Sequence, residues 1–544
     1  MCRLFYLQIL SHKDYEALAL GQQTYFEEIN GRRGEVFFKN SKETKGQAGG
    51  EEVKSLAINK DKQLAFAVPY KVNDKEGFAK IVGEIIKEPQ ASILEKLQES
   101  DVYAVIKKDI SEEEFEVLKK ADLAGLSFES LSARYYPQEL LASQVIGFWG
   151  GDGTGQYGIE GYYDDILGGE TGIVEQKKGL DLLNVDLYQS RNLNGSDIFL
   201  TIDYNIQFQA EELLRQVNQT LDMESGQIVV LKPDSGRILA LANFPAFDPN
   251  QYSKVSGYDV FQNGAVQKIF EPGSIFKPFT MAMALEEKKV TPESSFFDEG
   301  FVKIGPDTIY NFNRKDYGHS TMSQILENSI NTGAVHLSSL ISRETFFNYV
   351  NKFGFNQKTG VDLQGEISSK NEILRKSPQV GYATAAFGQG IEMTPLQLAS
   401  AFAMFANGGK VVKPYAVESI KGVEEIIPHE VKTTQVISQQ TASQVNAMLI
   451  NVVERGFGDG AKIDGYYLAG KTGTAEVPMR DRKGYYEDRT IQSFVGYGPA
   501  LNPEFLILVK LDNPKVPKSS LSAVPVFKKL AQYIINYWQI PPDY

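Results

Sequence analysis

Ser274 and Lys277 stand three residues apart, preceded by Gly273 and followed by Pro278 and the strong helix-forming run Phe279 to Glu287. This order predicts a helix that begins near Ser274, with Lys277 one turn on along the same face. Pro278 is compatible with that helix only in its first turn, where few backbone N–H bonds are lost. A serine hydroxyl becomes a competent nucleophile when a neighbouring base takes its proton, and a neutral lysine can be that base. A lysine in water titrates near ~10.4, so holding Lys277 neutral at pH 7 costs about 4 kcal/mol. Burial, the positive end of the helix dipole and a second cation all act in that direction, and Lys471 is the candidate cation. Taken alone, a serine three residues before a lysine is usually a helix cap beside a solvated side chain.

Two further clusters give the pair meaning. Ser329-Ile330-Asn331 lies near a boundary between apolar helical segments, where a two-residue spacing can turn both polar side chains into one cleft. A simple polar helix cap would read the same way. Lys471-Thr472-Gly473-Thr474 follows the apolar stretch Tyr466 to Ala469 and reads as a strand. Gly473 there leaves room for an extended peptide to approach the backbone. Gln389, between Gly388 and Gly390, reads from the residues alone as a loop residue.

Other chemistries are disfavoured. His12, His319, His336 and His429 are scattered, and Cys2 is the single cysteine, so no zinc or redox motif is spelled and no metal or cofactor is expected. No serine occupies a Gly-x-Ser-x-Gly elbow. The net charge of -13 argues against a nucleic-acid partner. Gly465 to Thr472 spells a phosphate loop, but Gly473-Thr474-Ala475-Glu476-Val477-Pro478 is a poor helix start. Gly153, Gly155 and Gly158 spell a dinucleotide fingerprint without a following strand-helix-strand unit and read as a turn. The mixed-charge loop Arg480 to Arg489 reads as a solvated hairpin tip.

The ordered set resembles the class B penicillin-binding proteins, the monofunctional peptidoglycan D,D-transpeptidases of cell division or elongation. Glu271-Pro272-Gly273-Ser274-Ile275-Phe276-Lys277-Pro278 is close to that family's serine motif, Gly388-Gln389-Gly390 to its usual helix entry, and Ser493 to Pro499 to the strand after its Lys-Thr-Gly strand. Asp248-Pro249-Asn250, Arg134 to Pro137 and Arg33-Gly34 also resemble family landmarks. Ile275 and Ile330 depart from the commoner residues without removing a reacting group. The resemblance implies that Ser274 is the nucleophile, Lys277 its base, and Ser329 a proton relay between Lys277, Lys471 and the leaving amine. It assigns Asn331 to the acyl donor's amide and Gln389 to the substrate backbone, while Lys471, Thr472 and Thr474 can hold the terminal carboxylate on the strand where Gly473 leaves room. The backbone N–H groups of Ser274 and Thr474 would form the oxyanion hole. The implied reaction is D-Ala release from a D-Ala-D-Ala stem peptide, then transfer to a second peptide's amine, with β-lactams as inhibitors. A D,D-carboxypeptidase, a β-lactamase, a β-lactam sensor and a silent scaffold of the wall machinery are the alternatives. A separate glycan polymerase is the implied partner.

The elements that must position these groups fall into two regions. Residues 1–190 are expected to form an extended α+β pedestal, with a helix to about residue 30, a strand through Phe38, a polar loop over 40–54, strands at Ser55 to Asn59 and Leu64 to Val68, and a helix near 75 to 87. Ser111 with Glu114 spells a capping box, and a strand runs from Ser127 to Arg134. The break is expected at Ser190 to Ser196. Residues 191–544 read as an α/β transpeptidase (β-lactamase-like) domain, an antiparallel sheet flanked by helices. Its signals are a helix at Ile206 to Gln219, a hairpin at Ser225 to Ala242, apolar helices over 274–289, 321–341, 394–407 and 438–455, strands at Tyr466 to Ala469, Ile491 to Tyr497 and Phe505 to Leu511, and a closing helix from Val524 to Tyr537. No stretch approaches the ~18 apolar residues that span a bilayer. By resemblance, Arg3 to Leu10 would directly follow a membrane anchor, which places the enzyme at the outer face of the cytoplasmic membrane.

Overall fold

A computed structural model describes residues 24–38, 54–177, 193–422, 426–428, 430–479 and 484–544. The chain divides into two units that interleave in sequence: 1–35, 57–137 and 168–195 form one, and 36–56, 138–167 and 196–544 the other.

In the first unit, Lys54–Ala67 is one continuous strand where the sequence suggested two, because the Lys60-Asp61-Lys62 interruption stays extended on a solvated stretch. From Ala57 onward it pairs antiparallel with Leu126–Tyr135 and Ala104–Ile110. Helix Lys75–Ile86 lays Phe78, Ala79, Val82 and Ile86 into a core with Ile93, Leu97, Ile106 and Leu118. The capping box at Ser111 and Glu114 forms as expected. Thr24–Asn30 is a strand antiparallel to Thr171–Lys177, not the end of a helix. Its β-branched and aromatic residues suit a ladder better than a helix. The rest of the expected N-terminal helix and nearly all of the polar loop lie outside the described residues. No described helix is long and apolar enough to cross a membrane.

The second unit is organised by a five-stranded antiparallel sheet. Helix α1 (Tyr204–Leu221), capped by the Asp203 carboxylate, leads into strands β1 (Ser225–Leu231) and β2 (Ile238–Phe244). Helices α2 (Lys277–Glu286), α3 (Asn331–Ser339) and α4 (Gln439–Arg455) follow. Strands β3 (Ala469–Pro478), β4 (Tyr485–Gly498) and β5 (Phe505–Asp512) and helix α5 (Ala523–Trp538) end the chain. The strand order is β2-β1-β5-β4-β3, so residues from both ends of the unit share one sheet. One face is sealed by α1 and α5, through Leu213, Leu214, Phe527, Leu530 and Ile534 against Ile228, Val230, Phe494 and Val509. Each such fully buried side chain contributes about 1.5–3 kcal/mol.

Helix α2 is buried on every side from Lys277 to Leu285, as a helix apolar all round must be. Phe279 anchors it among Phe353, Phe355 and Phe405, at ring-centroid distances of 5.4, 5.2 and 5.3 Å. The helix expected over 321–341 breaks in two at Ser329. The three-glycine segment forms a two-residue strand, Gly155–Gln156, and a single-turn helix, Gly158–Tyr162.

Candidate active site

Ser274 lies in a 3-10 turn, Gly273–Phe276, that runs directly into α2. Gly273 takes a positive φ of 57°, and its N–H donates to Gly388 O at 3.0 Å. Gly388 also has a positive φ, and a Cβ there would lie 2.0 Å from Gly273 O. The Gly388-Gln389-Gly390 loop and the serine turn therefore meet backbone to backbone, which only glycine permits.

Lys277 is 1% exposed. Its Nζ lies 2.5 Å from Ser329 O, 2.7 Å from Asn331 Oδ1 and 3.1 Å from Ser329 Oγ. Lys471 is fully buried, and its Nζ lies 3.1 Å from the same Ser329 Oγ and 3.2 Å from Thr472 O. Burial, and then the Lys471 charge, push the Lys277 amine well below its ordinary range. Burial brings Lys471 down to about 7. Ser329 O and Asn331 Oδ1 can only accept hydrogen bonds, so they take two N–H groups of Lys277. The third position of that nitrogen faces Ser329 Oγ, a hydroxyl that can accept from Lys471 while donating to a neutral Lys277. The arrangement can thus move a proton between two amines through one hydroxyl. Ser274 Oγ makes no hydrogen bond among the described residues, and the Lys277 amine is held by Ser329 and Asn331.

The relay segment is held by groups that carry no motif. Ser329 adopts φ 52°, rare for a non-glycine residue, and ends the helix before it. Asn331 opens α3 and donates through Nδ2 to Tyr310 O at 3.0 Å, which fixes its Oδ1 toward Lys277. Next to it Thr332 donates its N–H to Asn311 Oδ1 at 3.0 Å and its hydroxyl to Asp298 Oδ1 at 2.6 Å. The buried Asp298 carboxylate also accepts from Gly300 N, Asn311 Nδ2 and Tyr317 N. Nothing in the sequence marks Asp298 beyond an acidic residue between Phe297 and Gly300.

Strand β3 has β4 as its one neighbour among the described residues, so its other edge is open. An open edge offers backbone donors and acceptors to an extended peptide. Lys471, Thr472 and Gly473 are buried, and Thr474 is exposed with its Oγ1 3.4 Å from Ser519 Oγ. A Cβ on Gly473 would meet Ser493 Oγ at 2.5 Å and Ile275 Cγ1 and Pro272 O at 3.0 Å. Its small size therefore also serves the packing of β3 on the serine turn. Gln389 Nε2 lies 3.5 Å from Glu476 Oε2 of β3, which puts this side chain at the same cleft.

The phosphate-loop spelling is not realised: no helix follows Thr472, and β3 runs on to Pro478. Part of the loop at 480–489 lies outside the described residues, but Tyr485 already belongs to β4 and reaches Glu271, at 3.2 Å from Oε2. Sequence reasoning gave neither residue a role.

Family models match two successive stretches of the chain: "Penicillin-binding Protein dimerisation domain" over residues 32–200 and "Penicillin binding protein transpeptidase domain" over 226–532. Stage V sporulation protein D of Bacillus subtilis is 32% identical over 526 residues, covering 94% of this chain and 79% of that protein. The peptidoglycan D,D-transpeptidase FtsI homolog of Mesostigma viride is 30% identical, covering 78% of this chain and 75% of that protein. Among solved structures, a peptidoglycan synthetase from Bifidobacterium adolescentis aligns with a TM-score of 0.74 at 25% identity, over 96% of this chain and 98% of that one. Penicillin binding protein 3 from Mycobacterium tuberculosis, complexed with ampicillin, also gives 0.74 at 25% identity, over 95% and 97%. With both family domains matched in order and a serine, two lysines and a relay hydroxyl gathered in the catalytic one, the chain belongs to the class B penicillin-binding proteins.

Proposed function

We propose that this protein is a peptidoglycan D,D-transpeptidase that works through an acyl-enzyme on Ser274. The observation that carries this reading is the hydroxyl of Ser329 lying 3.1 Å from both Lys277 Nζ and Lys471 Nζ, with Lys277 one turn on from Ser274.

In acylation, Ser274 Oγ attacks the carbonyl carbon of the penultimate D-Ala and its proton passes to Lys277 Nζ. Lys277 exchanges one of its present contacts for Ser274 Oγ, as resting sites commonly do on binding substrate. The carbon–nitrogen bond to the terminal D-Ala breaks, and the leaving nitrogen takes a proton through Ser329. In the second step an acceptor amine attacks the ester carbonyl, yields a proton to the same lysine pair, and Ser274 Oγ recovers one as the new amide forms. Asn331 holds the donor's amide, and Thr472 and Thr474 hold the terminal carboxylate beside Lys471. Gly473 keeps β3 against the serine turn, and Gln389 binds the peptide backbone from the facing loop. The N–H groups of Ser274 and Thr474 receive the oxyanion.

Residues 1–190 serve as the pedestal and 191–544 as the catalytic domain. The enzyme works outside the cytoplasmic membrane, where stem peptides are exposed, beside a glycan polymerase that supplies the strands.

The test is intact mass after incubation with a fluorescent penicillin, beside Ser274→Ala. A stable adduct on the wild type alone is expected. No adduct with intact drug remaining would remove the acylating reading, and rapid drug loss would make the protein a β-lactamase. Measuring D-Ala release with and without an acceptor amine then separates transfer from hydrolysis.

A further inference from the structure

Glu271 takes no part in the steps above, yet it lies three residues before Ser274 and is only 6% exposed. The chain on either side of it is pinned to one loop. Phe270 exchanges backbone hydrogen bonds with Met393 at 2.9 and 3.1 Å, and Gly273 N–H bonds Gly388 O. Between these points the Glu271 carboxyl accepts the hydroxyl of Tyr485, at 3.2 and 3.4 Å from its two oxygens, and is drawn electrostatically toward the N–H of Gly390. Tyr485 opens β4 and pairs with Pro478 of β3, the strand that bears Lys471 and Thr474. One carboxyl therefore joins the nucleophile turn, the loop that carries Gln389 and the hairpin that forms the opposite wall. Gln389 and Glu476 meet across the same gap at 3.5 Å.

We propose that Glu271 is a positioning residue whose ionised carboxyl holds the Gly388–Gly390 loop and the β3–β4 hairpin at their working distance from Ser274. Ionised, it accepts the Tyr485 O–H and attracts the Gly390 N–H. Protonated, one oxygen becomes a donor and one of those ties is weakened. The charged groups that face it are Glu392 and Glu476, and Tyr485 is the other titratable neighbour. Burial, with those two carboxylates, pushes the Glu271 carboxyl up to about 7, so the tie tightens across the neutral range. This inference rests on the acyl-transfer reading.

The experiment is the acylation rate with a chromogenic β-lactam from about pH 5.5 to 9, with melting curves, for wild type, Glu271→Gln and Tyr485→Phe. Glu271→Gln keeps the size of the side chain and fixes it neutral. It is expected to acylate about tenfold more slowly than wild type at pH 8 and nearly equally at pH 6, since small displacements of catalytic walls cost that much. Its Tm at pH 8 is expected to rise, because a buried charge beside two others is gone. Tyr485→Phe should show the same rate loss confined to the alkaline side. A Glu271→Gln profile parallel to wild type at every pH, or a fall in Tm with an equal rate loss throughout, would overturn the proposal. Failure of the wild type to acylate would instead refute the acyl-transfer reading itself.

Discussion

Replacing Lys471 by methionine tests whether the two buried lysines are coupled. Each Nζ is 3.1 Å from Ser329 Oγ, so the two nitrogens are at most about 6 Å apart. At an effective dielectric of about 20, two unit charges at ~6 Å repel by roughly 2.8 kcal/mol. Burial sets Lys471 to titrate at about 7, so at that pH it is charged in roughly half the molecules, and the mean repulsion is about 1.4 kcal/mol. Methionine fills a similar volume without charge. Lys277 then keeps its proton more firmly, so the acid limb of acylation should move up by about one pH unit, a fall of at most about tenfold at pH 7. The lost N–H to Ser329 Oγ adds a further factor of a few, at ~1 kcal/mol for a net hydrogen bond. Second-order acylation by a chromogenic β-lactam, followed by stopped flow, should show the acid limb moved to higher pH, with much of the loss recovered on the alkaline side. An unmoved limb with an equal rate loss at every pH would refute the coupling and leave Lys471 acting on the substrate alone.

Two further outcomes follow from the same geometry. The unfolded chain binds more protons than the native one wherever a lysine's native pKa lies below its free value, so Lys471 makes stability rise between pH ~7 and ~10.5, and Lys277 acts with the same sign. Denaturant melts should show a rise of several kcal/mol over that window, about 4 kcal/mol less in Lys471→Met, and a flat wild-type curve would contradict the buried amines. Gly388→Ala should cost more than about 2 kcal/mol and slow acylation, because its Cβ collides with Gly273 O at 2.0 Å. Gly153→Ala shares the positive φ but meets nothing within 4 Å, so its smaller loss, about 1 kcal/mol, isolates the backbone strain from the collision.

The elements of the second unit were legible because each carries a local signal. The hairpin at Ser225 to Ala242 has its turn residues, α1 and α5 have clean apolar stripes, and the motif residues sit at fixed offsets from them. What failed to show was of two kinds. The continuity of the strand Lys54–Ala67 and the strand Thr24–Asn30 depend on partners distant in sequence, so no local period decides them. Asp298, Asn311, Glu271 and Tyr485 act through contacts made only after folding. An acid residue that accepts four hydrogen bonds has no spacing rule to betray it. The break at Ser329 was readable as a boundary, but its positive φ was not.

That backbone conformation shows how the site is built against its own stability. A serine at φ 52° is less comfortable than a glycine would be, by about 1 kcal/mol or more. Two lysines with no carboxylate at hydrogen-bond distance among the described residues are held inside the protein, and a third titratable group, Glu271, is buried among like charges. None of these choices aids folding, and each is kept in place by neighbours that do: the aromatic cluster around Phe279, the Asp298 hydrogen bonds and the glycine contact between residues 273 and 388. A glycine at 329 would relieve the backbone but remove the one hydroxyl that both lysines reach. The rigidity of the surroundings is therefore what lets an amine of lowered pKa stay buried one turn on from a serine, and any change that loosens those neighbours should cost acylation before it costs the fold.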